Sequence, residues 1–536
     1  LNHSGDRQGV RYENGVVRTP DGFADAYRQY VEGGWNGVPF EPEHGGQGLP
    51  WLVAFALSEV WQSANMAWAL NPVLTGGAVE LLTAHGTPEQ QRLYLPKLVS
   101  GEWTGTMNLT EPQAGSDVGA LKTRAEPDGD RYRIRGQKIF ITWGEHDLAP
   151  NIVHMVLARL PDAPPGTRGI SLFLVPKFLV DDDGGLGPRN DLHCVSVEHK
   201  LGIHASPTCV MSFGENEGAI GWLVGEPNRG LAAMFTMMNN ARLNVGIEGL
   251  ALSERAYQQA CAYAFERIQG SAEGEDGVPI IRHPDVRRML LAIKAQTEAM
   301  RALVLEAGAA LDAARRLPDG AAKRAAQARI DLMTPIVKAW CTDLGVELTS
   351  TALQVHGGMG FIEETGAAQH YRDARIPPIY EGTNGIQAQD LVLRKLLRDR
   401  GEAAAAYIVE LNDALTGLGD SPAETSIRRH LAAGLDALQA ATDWLLAAGP
   451  GDAVLAAATP YLRLFGIVAG GAVMARAAAV AAARLTGNSG DSAYAAKLAT
   501  ARFYAEAVLP QAAALLPAVT ESHAAVTALG PEAFRA

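Results

Sequence analysis

Apolar residues recur at helical spacing in the first hundred residues and at alternating spacing in the block that follows. Residues 21–101 show the helical pattern, as at Phe55 and Val60. Residues 104–224 contain short alternating runs, such as residues 131–135, which predict strands. The pattern therefore predicts a helical domain followed by a β-domain.

Helical spacing returns in residues 230–400 and continues in alanine-rich segments towards the C-terminus. A polar loop at residues 269–277 and a Gly/Pro-rich stretch at residues 357–378 interrupt the second helical block. We therefore predict four domains: helical at 1–103, β at 104–228, helical at 229–400 and additional helical at 401–536.

The composition is that of an ordinary folded protein and argues against nucleic acid as a partner. Of the 536 residues, 47% are hydrophobic and 20% are charged, and the net charge is −13. This charge is spread along the chain, which disfavours nucleic acid and anionic membranes as main partners. The four cysteines show no paired spacing, so we expect no disulfide framework and a reducing, cytoplasmic compartment.

We expect no membrane span and no secretory signal. The most apolar C-terminal stretch, residues 464–475, lies between two arginines and is far shorter than the ~20 residues that a span requires. Residues 1–9 lack the charged and apolar regions of a signal peptide. Because the chain begins with Leu1 rather than Met, we expect further residues upstream.

Two segments of the predicted β-domain suit a flat aromatic ligand. The run MNLTEPQAGSD at Met107–Asp117 predicts a turn whose backbone N–H groups and Ser116 hydroxyl donate hydrogen bonds. In KIFITWG at Lys138–Gly144, Phe140 and Thr142 lie on the same side of a strand and would cover one face of a ring. Each segment alone also fits an ordinary turn or core strand.

A pair of glycines marks the end of a predicted helix in the second helical block. In QVHGGMGF at Gln354–Phe361, Gly357 and Gly358 allow another backbone or a pyrophosphate to come close. A plain helix cap explains the same pair equally well.

Glu381 is the carboxylate in IPPIYEGTNGIQ, Ile376–Gln387. It follows two prolines, which stiffen the chain, and precedes a helix that we expect to start near Thr383 or Asn384. Aliphatic neighbours make a carboxylate a stronger base, although a helix N-terminus partly opposes this effect. The alternative is a glutamate that only complements the helix dipole.

Other common chemistries lack their sequence signatures. The chain contains no GxSxG elbow, Walker A loop or HExxH helix, so hydrolase, P-loop NTPase and zincin functions lack support. His199, His204 and Cys209 have no spacing typical of a metal site, and we assign no metal.

In this order and at these separations, the four segments resemble the acyl-CoA dehydrogenase family over residues 34–397. Further matches are residues 34–50, EHKLGIHASPT at residues 198–208, Arg242 at a helix start, and FER at residues 265–267. The resemblance implies a mainly α fold with a middle β-barrel domain: an α-helical N-terminal domain, a β-barrel, a helical bundle and an extra C-terminal helical domain.

The resemblance also implies FAD as the cofactor and a set of residues that contact it. The turn at residues 107–116 would contact the flavin, the strand at residues 140–142 would line its ring, and Thr383 and Asn384 would lie near its phosphates. Arg267, the last residue of the FER match, and Gln269 would hold the adenosine end. The glycine pair, with Gln354, would come from a neighbouring subunit. These residues are Met107, Asn108, Leu109, Thr110, Gly115 and Ser116; Phe140, Ile141 and Thr142; Thr383 and Asn384; Arg267 and Gln269; and Gln354, Gly357 and Gly358.

The implied reaction is α,β-dehydrogenation of an acyl-CoA thioester to a trans-2-enoyl-CoA. Glu381 falls on the glutamate that many members use to remove the α-proton while FAD takes a hydride from the β-carbon. A flavin ribityl hydroxyl and the backbone N–H of that glutamate polarise the carbonyl. The substrate contacts carried over are Ser116, Gln258, Arg242, Tyr380, Glu381 and Gly382.

The long C-terminal extension resembles a larger subgroup that includes 3-methylmercaptopropionyl-CoA and broad-range fatty acyl-CoA dehydrogenases. It implies a fatty acyl-CoA or 3-methylthiopropionyl-CoA-like substrate, an electron-transfer flavoprotein as electron acceptor, and a homo-oligomer, typically a dimer. The loop after Arg267 is longer than in short members, and His204 stands where many relatives carry arginine.

Two alternatives stay open at this point. An acyl-CoA oxidase would pass electrons to oxygen, and sequence separates it poorly from a dehydrogenase. A DNA-associated flavoprotein of the same superfamily predicts a basic C-terminal domain, whereas residues 401–536 carry more acidic than basic side chains.

Overall fold

The chain divides into two units, Leu1–Asn244 and Val245–Ala536, in the computed structural model, which describes residues 1–486 and 491–535. The first unit begins with helices separated by a small hairpin, which confirms the predicted helical segment and adds two strands that we did not predict. These elements are α1 (Asn2–Gln8), β1 (Arg11–Glu13), β2 (Val16–Arg18), α2 (Phe23–Glu32), α3 (Trp51–His85) and α4 (Pro88–Ser100).

Helix α3 is two helical segments joined at Asn65. Asn65 has non-helical φ and ψ of −164° and 95°, and its Oδ1 accepts a hydrogen bond of 3.1 Å from the Trp68 backbone N–H. The side chain therefore caps the second segment, as asparagine does at helix N-termini. Of the apolar positions that predicted this helix, Phe55 is buried, whereas Val60 is exposed.

Strands occupy the predicted β-domain, and eight of them form one sheet. The ten strands are β3 (Thr104–Asn108), β4 (Arg124–Asp128), β5 (Arg131–Thr142), β6 (Ile152–Ala158), β7 (Ser171–Pro176), β8 (Phe178–Val180), β9 (Leu186–Arg189), β10 (Leu192–Val197), β11 (Thr208–Phe213) and β12 (Ala219–Val224). The order is β10-β11-β5-β12-β7-β6-β3, with β4 also on β5.

The sheet curls around a shared apolar core. Strand β3 pairs parallel to β6, while the other neighbours in the sheet pair antiparallel. Core residues come from strands near both ends of the sheet order, including Cys194 on β10 and Val156 on β6. In a flat sheet, β10 and β6 would be separated by several strand spacings of about 5 Å each, which is too far for their side chains to share one core. The sheet must therefore be curved.

Helix α5 (Gly230–Glu266) contains the boundary between the two units, and the second unit is mainly helical. Besides short 3-10 helices, its elements are β13 (Ser271–Ala272), β14 (Glu275–Asp276), α6 (Pro284–Arg316), α7 (Ala321–Val355), α8 (Ala367–Asp373), α9 (Asn384–Gln389), a π-helix (Asp390–Leu396), α10 (Glu402–Asp413), α11 (Pro422–Ala448), α12 (Asp452–Thr486), α13 (Ser492–Phe503), a second π-helix (Tyr504–Val508), α14 (Pro510–Thr520) and α15 (His523–Ala528).

Three expectations about this part of the chain need correction. Arg242 does not start a helix but lies inside α5, where the preceding asparagines stay helical and Asn244 Nδ2 donates to the Asn240 carbonyl at 3.2 Å. The predicted loop at residues 269–277 is a β-hairpin. The Gly/Pro-rich stretch at residues 357–378 contains α8.

Helix α12 also corrects our expectation about segment length. It has 35 residues and is long and apolar enough to cross a membrane by length and composition. However, 78% of its most apolar window is buried inside the structure, as in the core helix of a bundle. Flanking arginines made the apolar stretch look shorter than the helix that contains it.

Glycines let three helices of the second unit approach closely. A Cβ on Gly249 of α5 would lie 2.3 Å from the Cys341 carbonyl oxygen of α7, and one on Gly345 would lie 3.0 Å from the Gly249 Cα. The buried Trp340 of α7 packs where Gly466 of α12 leaves room, since a Cβ there would lie 2.3 Å from the indole ring. Small residues therefore set the spacing of α5, α7 and α12.

A buried ion pair in the first unit joins the turn after β3 to strand β5. Lys138 Nζ lies 2.8 Å from Glu111 Oε1 and donates to the Leu109 carbonyl at 3.0 Å. Glu111 also accepts hydrogen bonds from the Thr123 hydroxyl at 2.6 Å and the Lys122 backbone at 2.6 Å. Both charged side chains are buried, so the pair fixes the predicted flavin-contacting turn.

The surroundings favour the charged form of Glu111 and disfavour the charged form of Lys138. Burial alone raises the pKa of Glu111, but Lys138 and the hydrogen bonds outweigh it and bring the pKa to about 2. Burial lowers the pKa of Lys138 to about 8, with Glu111 partly opposing this effect. Because the Glu111 pKa is depressed in the folded protein, its stabilising contribution is present above about pH 4.5 and is lost as pH falls towards 2.

Replacing Lys138 should destabilise the first unit more than removing the whole pair does. We expect Lys138→Met to lower the free energy of unfolding at neutral pH by about 3–5 kcal/mol, because Glu111 is left as an unpaired buried charge. The double variant Glu111→Gln with Lys138→Met should recover most of this loss. Urea unfolding followed by tryptophan fluorescence measures both.

The matched control is Lys97→Met, which breaks an exposed pair with Glu102 at 2.7 Å. We expect it to change the free energy of unfolding by less than about 1 kcal/mol. Equal losses in the single Lys138 variant and the double variant would contradict the interpretation of the buried pair.

Candidate active site

Glu381 lies in a left-handed turn at the start of α9. Its φ is 55°, which is uncommon for a residue with a side chain, and the φ of Gly382 is 80°. The two preceding prolines are buried, and the Asn384 backbone N–H donates to the Pro378 carbonyl at 2.9 Å. Such conformations persist only when surrounding contacts hold them, and they cluster at active sites.

The side chain of Lys338, on α7, donates hydrogen bonds to this turn and to the start of α9. Its side chain is fully buried, and Nζ donates to the Gly382 carbonyl at 2.9 Å and to Asn384 Oδ1 at 2.8 Å. Gln387 Nε2 donates to the Glu381 carbonyl at 3.2 Å. The carbonyls of Glu381 and Gly382, directly after the carboxylate in the chain, are therefore held by ammonium and amide donors, while the Glu381 side chain itself is only partly buried.

Thr383 and Asn384 carry out structural tasks at the helix start, as the sequence predicted for the helix. The Thr383 hydroxyl accepts a hydrogen bond from the Ile386 backbone at 3.2 Å and caps α9. Asn384 Nδ2 donates to Thr342 Oγ1 at 2.9 Å and to Asp343 Oδ1 at 2.7 Å. These side chains have protein partners, and their contact with cofactor phosphates stays a prediction.

Sequence reasoning missed Glu248 and Lys338. The Tyr380 hydroxyl, next to Glu381 in the chain, donates to Glu248 Oε2 at 2.5 Å, and Glu248 is fully buried on α5. Burial, the largest effect, raises the pKa of Glu248 to about 8. The available signal was a single acidic residue in the otherwise uncharged run VGIEGLAL, residues 245–252.

In the first unit, the predicted flavin-contacting turn divides into an inner and an outer part. Met107 and Asn108 belong to the buried strand β3, and Asn108 Nδ2 lies 3.2 Å from His154 Nδ1. Gly115 and Ser116 are exposed, whereas Leu109 and Thr110 are intermediate. The outer part of the turn therefore offers the groups that can reach a ligand.

Phe140 interrupts the regular pleat of β5. It has a φ of 58° and 58% exposure, between the buried Lys138 and Ile141. Thr142 is partly buried, and its carbonyl accepts a hydrogen bond of 2.7 Å from the Thr106 hydroxyl. An exposed aromatic ring in a strained backbone is not explained by the core, and it fits a planar ligand such as a flavin.

The predicted adenosine contacts are close to one another at the hairpin of β13 and β14. Arg267 Nη2 donates to Gln269 Oε1 at 3.4 Å, and His283 Nε2 lies 2.8 Å from the Gln269 carbonyl. Gln354, Gly357 and Gly358 are exposed at the end of α7. Residues that contact a cofactor bound in a neighbouring subunit have to be exposed in this way, and that contact stays a prediction.

The remaining predicted substrate contacts have different surroundings. Arg242 is buried, with its guanidinium 5.7 Å from the Phe235 ring centroid. Gln258 lies on the exposed side of α5 and donates to Glu254 at 2.8 Å. Burial of Arg242 favours a fixed position, whereas Gln258 is exposed and its hydrogen bonds are to neighbours on its own helix.

Family profiles match nearly the whole chain in consecutive segments. They are described as acyl-CoA dehydrogenase N-terminal domain at residues 12–102, middle domain at residues 106–215 and C-terminal domain at residues 228–396, followed by an acetyl-CoA dehydrogenase C-terminal-like domain at residues 403–530.

Named relatives match most of the chain. A 3-methylmercaptopropionyl-CoA dehydrogenase of Ruegeria pomeroyi is 48% identical over 531 residues, covering 97% of this chain and 89% of the relative. A broad-specificity linear acyl-CoA dehydrogenase, FadE5, of Mycobacterium tuberculosis is 38% identical over 519 residues, covering 92% and 84%. A butyryl-CoA dehydrogenase of Syntrophomonas wolfei is 39% identical over 425 residues, covering 77% and 70%.

Solved structures share the fold. ACDH-11 of Caenorhabditis elegans, solved in complex with C11-CoA, matches with a TM-score of 0.75 at 23% identity and covers 95% of this chain and 84% of its own. A chain in the structure of the electron transferring flavoprotein of Acidaminococcus fermentans matches with a TM-score of 0.59 at 26% identity, covering 69% and 90%. The four profiles and the full-length relatives establish that this chain belongs to the acyl-CoA dehydrogenase family, whose members are FAD-dependent oxidoreductases.

Proposed function

We propose that this enzyme removes the α- and β-hydrogens of an acyl-CoA thioester, with Glu381 as the base. The observation that carries the proposal is the strained turn of Glu381, which buried hydrogen bonds from Lys338 hold in place. Strain of this kind is a feature of pre-organised sites, where a reacting group needs a fixed position.

The chain's own residues account for the proton transfer. The Glu381 carboxylate takes the α-proton, and the backbone N–H of the same residue donates to the thioester carbonyl, which stabilises the developing negative charge. Lys338 donates to the Gly382 carbonyl and so holds the backbone next to Glu381 in place. Bound FAD supplies the acceptor for the hydride that leaves the β-carbon.

The groups that would hold FAD are exposed and chemically suitable. The outer turn at Gly115 and Ser116 offers donors, and Phe140 offers a ring face. Arg267 and Gln269 offer donors and acceptors for the adenosine end.

We infer a short or broad-range acyl-CoA substrate and an electron-transfer flavoprotein as acceptor. Support for the substrate comes from the relatives that act on 3-methylmercaptopropionyl-CoA, butyryl-CoA and linear acyl-CoA. Support for the acceptor comes from the structural match to a chain of an electron transferring flavoprotein structure. A steady-state series over acyl-CoA thioesters of increasing length separates these substrate classes.

Glu381→Gln tests the base directly. The amide keeps the size of the side chain but cannot accept the α-proton, so we expect flavin reduction by acyl-CoA to slow by about 10²- to 10⁴-fold. Stopped-flow absorbance of the oxidised flavin measures this rate, and the variant should retain bound FAD.

The control for this variant is Glu364→Gln, which changes an exposed carboxylate of the same unit. It should reduce its flavin at the wild-type rate. A Glu381→Gln protein with unchanged flavin reduction would rule out Glu381 as the base.

Lys338→Met tests whether the turn must be held. The variant loses the donors to the Gly382 carbonyl and to Asn384 Oδ1. A displacement of about 1 Å at a reacting group costs roughly 10²-fold in rate, so we expect a loss of about that size in flavin reduction. Unchanged kinetics in a folded variant would show that the turn is stable without the lysine.

Reoxidation of the flavin separates a dehydrogenase from an oxidase. After anaerobic reduction with acyl-CoA, we expect slow reoxidation in air and fast reoxidation on addition of an electron-transfer flavoprotein. Absorbance of the flavin and a peroxide assay follow the two reactions. Rapid peroxide formation would assign the protein to the oxidases.

A further inference from the structure

A second carboxyl group, that of Glu248, lies against the turn that carries Glu381. Its Oε2 accepts a hydrogen bond of 2.5 Å from the hydroxyl of Tyr380, the residue directly before Glu381. Glu248 is fully buried, and its Oε1 has no hydrogen-bond partner within the described part of the chain. A buried carboxyl oxygen without a partner is costly, so packing alone does not explain this residue.

The ionisable groups that act on Glu248 come from the turn at Tyr380 and Glu381 and from helix α7. Burial raises the pKa of Glu248 to about 8, the Tyr380 hydrogen bond lowers it, Glu381 raises it, and Lys338 on α7 lowers it. Burial and the charge of Glu248 raise the pKa of Tyr380 well above its usual value, with smaller effects from Glu381 and Asp373. The Tyr380 hydroxyl therefore keeps its proton and acts as the donor.

We propose that Glu248 is a positioning residue for Glu381: it holds the Tyr380 hydroxyl, and its ionisation sets how strongly Glu381 binds a proton. This inference rests on the proposed function, because it assigns a role to a group beside the proposed base. At neutral pH, Glu248 is protonated, so Glu381 ionises without a second negative charge nearby. Above about pH 8, Glu248 ionises, and repulsion between the carboxylates raises the proton affinity of Glu381.

The pH dependence of the first turnover tests this role in the FAD-loaded enzyme. We measure the rate constant of flavin reduction at saturating butyryl-CoA from about pH 6 to about pH 10. The wild type is expected to show an inflection near pH 8, where Glu248 ionises. Glu248→Gln keeps a hydrogen-bond acceptor without the charge, so the inflection should disappear.

Tyr380→Phe gives a second, directional outcome. The Tyr380 hydrogen bond lowers the pKa of Glu248, so its loss should move the inflection to higher pH. Damage to the fold would scale the rate at every pH and would not displace the inflection. This variant also decides the matter if Glu248→Gln does not fold.

Infrared spectroscopy provides a readout that does not depend on turnover. In the wild type, the carboxylic acid band of Glu248 should be present at about pH 6 and lost at about pH 10. The difference spectrum between the wild type and Glu248→Gln isolates this band from those of other buried carboxyl groups.

Glu306→Gln is the matched control. Burial also raises the pKa of Glu306, but this carboxylate pairs with Arg476 and Arg329 rather than with the turn of Glu381. Its variant should keep the inflection. Identical pH profiles in the wild type and in the Glu248 and Tyr380 variants would overturn the inference and leave the dehydrogenase assignment intact, whereas wild-type protein that cannot reduce its flavin would overturn both.

Discussion

The placement of the Glu381 carboxylate depends on a short backbone turn that is held by side chains of two other helices. Lys338 of α7 donates to the carbonyl of Gly382, and Glu248 of α5 accepts from the hydroxyl of Tyr380. A left-handed backbone at a residue with a side chain is unfavourable by itself, so the turn keeps its shape because these buried groups over-determine it. The same hydrogen bonds that define the geometry also satisfy polar groups that burial would otherwise penalise.

Close packing of α5 and α7 is a condition for this arrangement. Gly249 and Gly345 have no side chains where the two helices meet, and a Cβ on Gly249 would clash with the Cys341 carbonyl. Helix α12 of the C-terminal extension adds to the same framework, since Trp340 of α7 packs against Gly466. The extension therefore braces the helix that carries Lys338, which gives these alanine-rich segments a physical connection to the site.

Much of the fold followed from local pattern, and the errors have physical causes. Helical and alternating spacing predicted the order of the helical and β blocks correctly, because the longer elements must present an apolar face to a core. Arg242 was misplaced because the resemblance put it at a helix start, whereas in the folded chain the long helix α5 begins at Gly230 and continues through it. The hairpin within residues 269–277 was missed because its strands are two residues each and carry no apolar alternation.

The sequence by itself determined the four segments that resemble the family, the position of Glu381 behind two prolines, and the helix that Thr383 caps, because these depend on residues near one another in the chain. Only the tertiary structure decided which buried groups surround that carboxylate. Glu248 and Lys338 lie far from Glu381 in sequence, and an isolated charge in an apolar helix has no predictable partner until the helices pack. Long-range contact between ionisable groups is a property of the folded chain, since it depends on how helices approach and not on the order of residues.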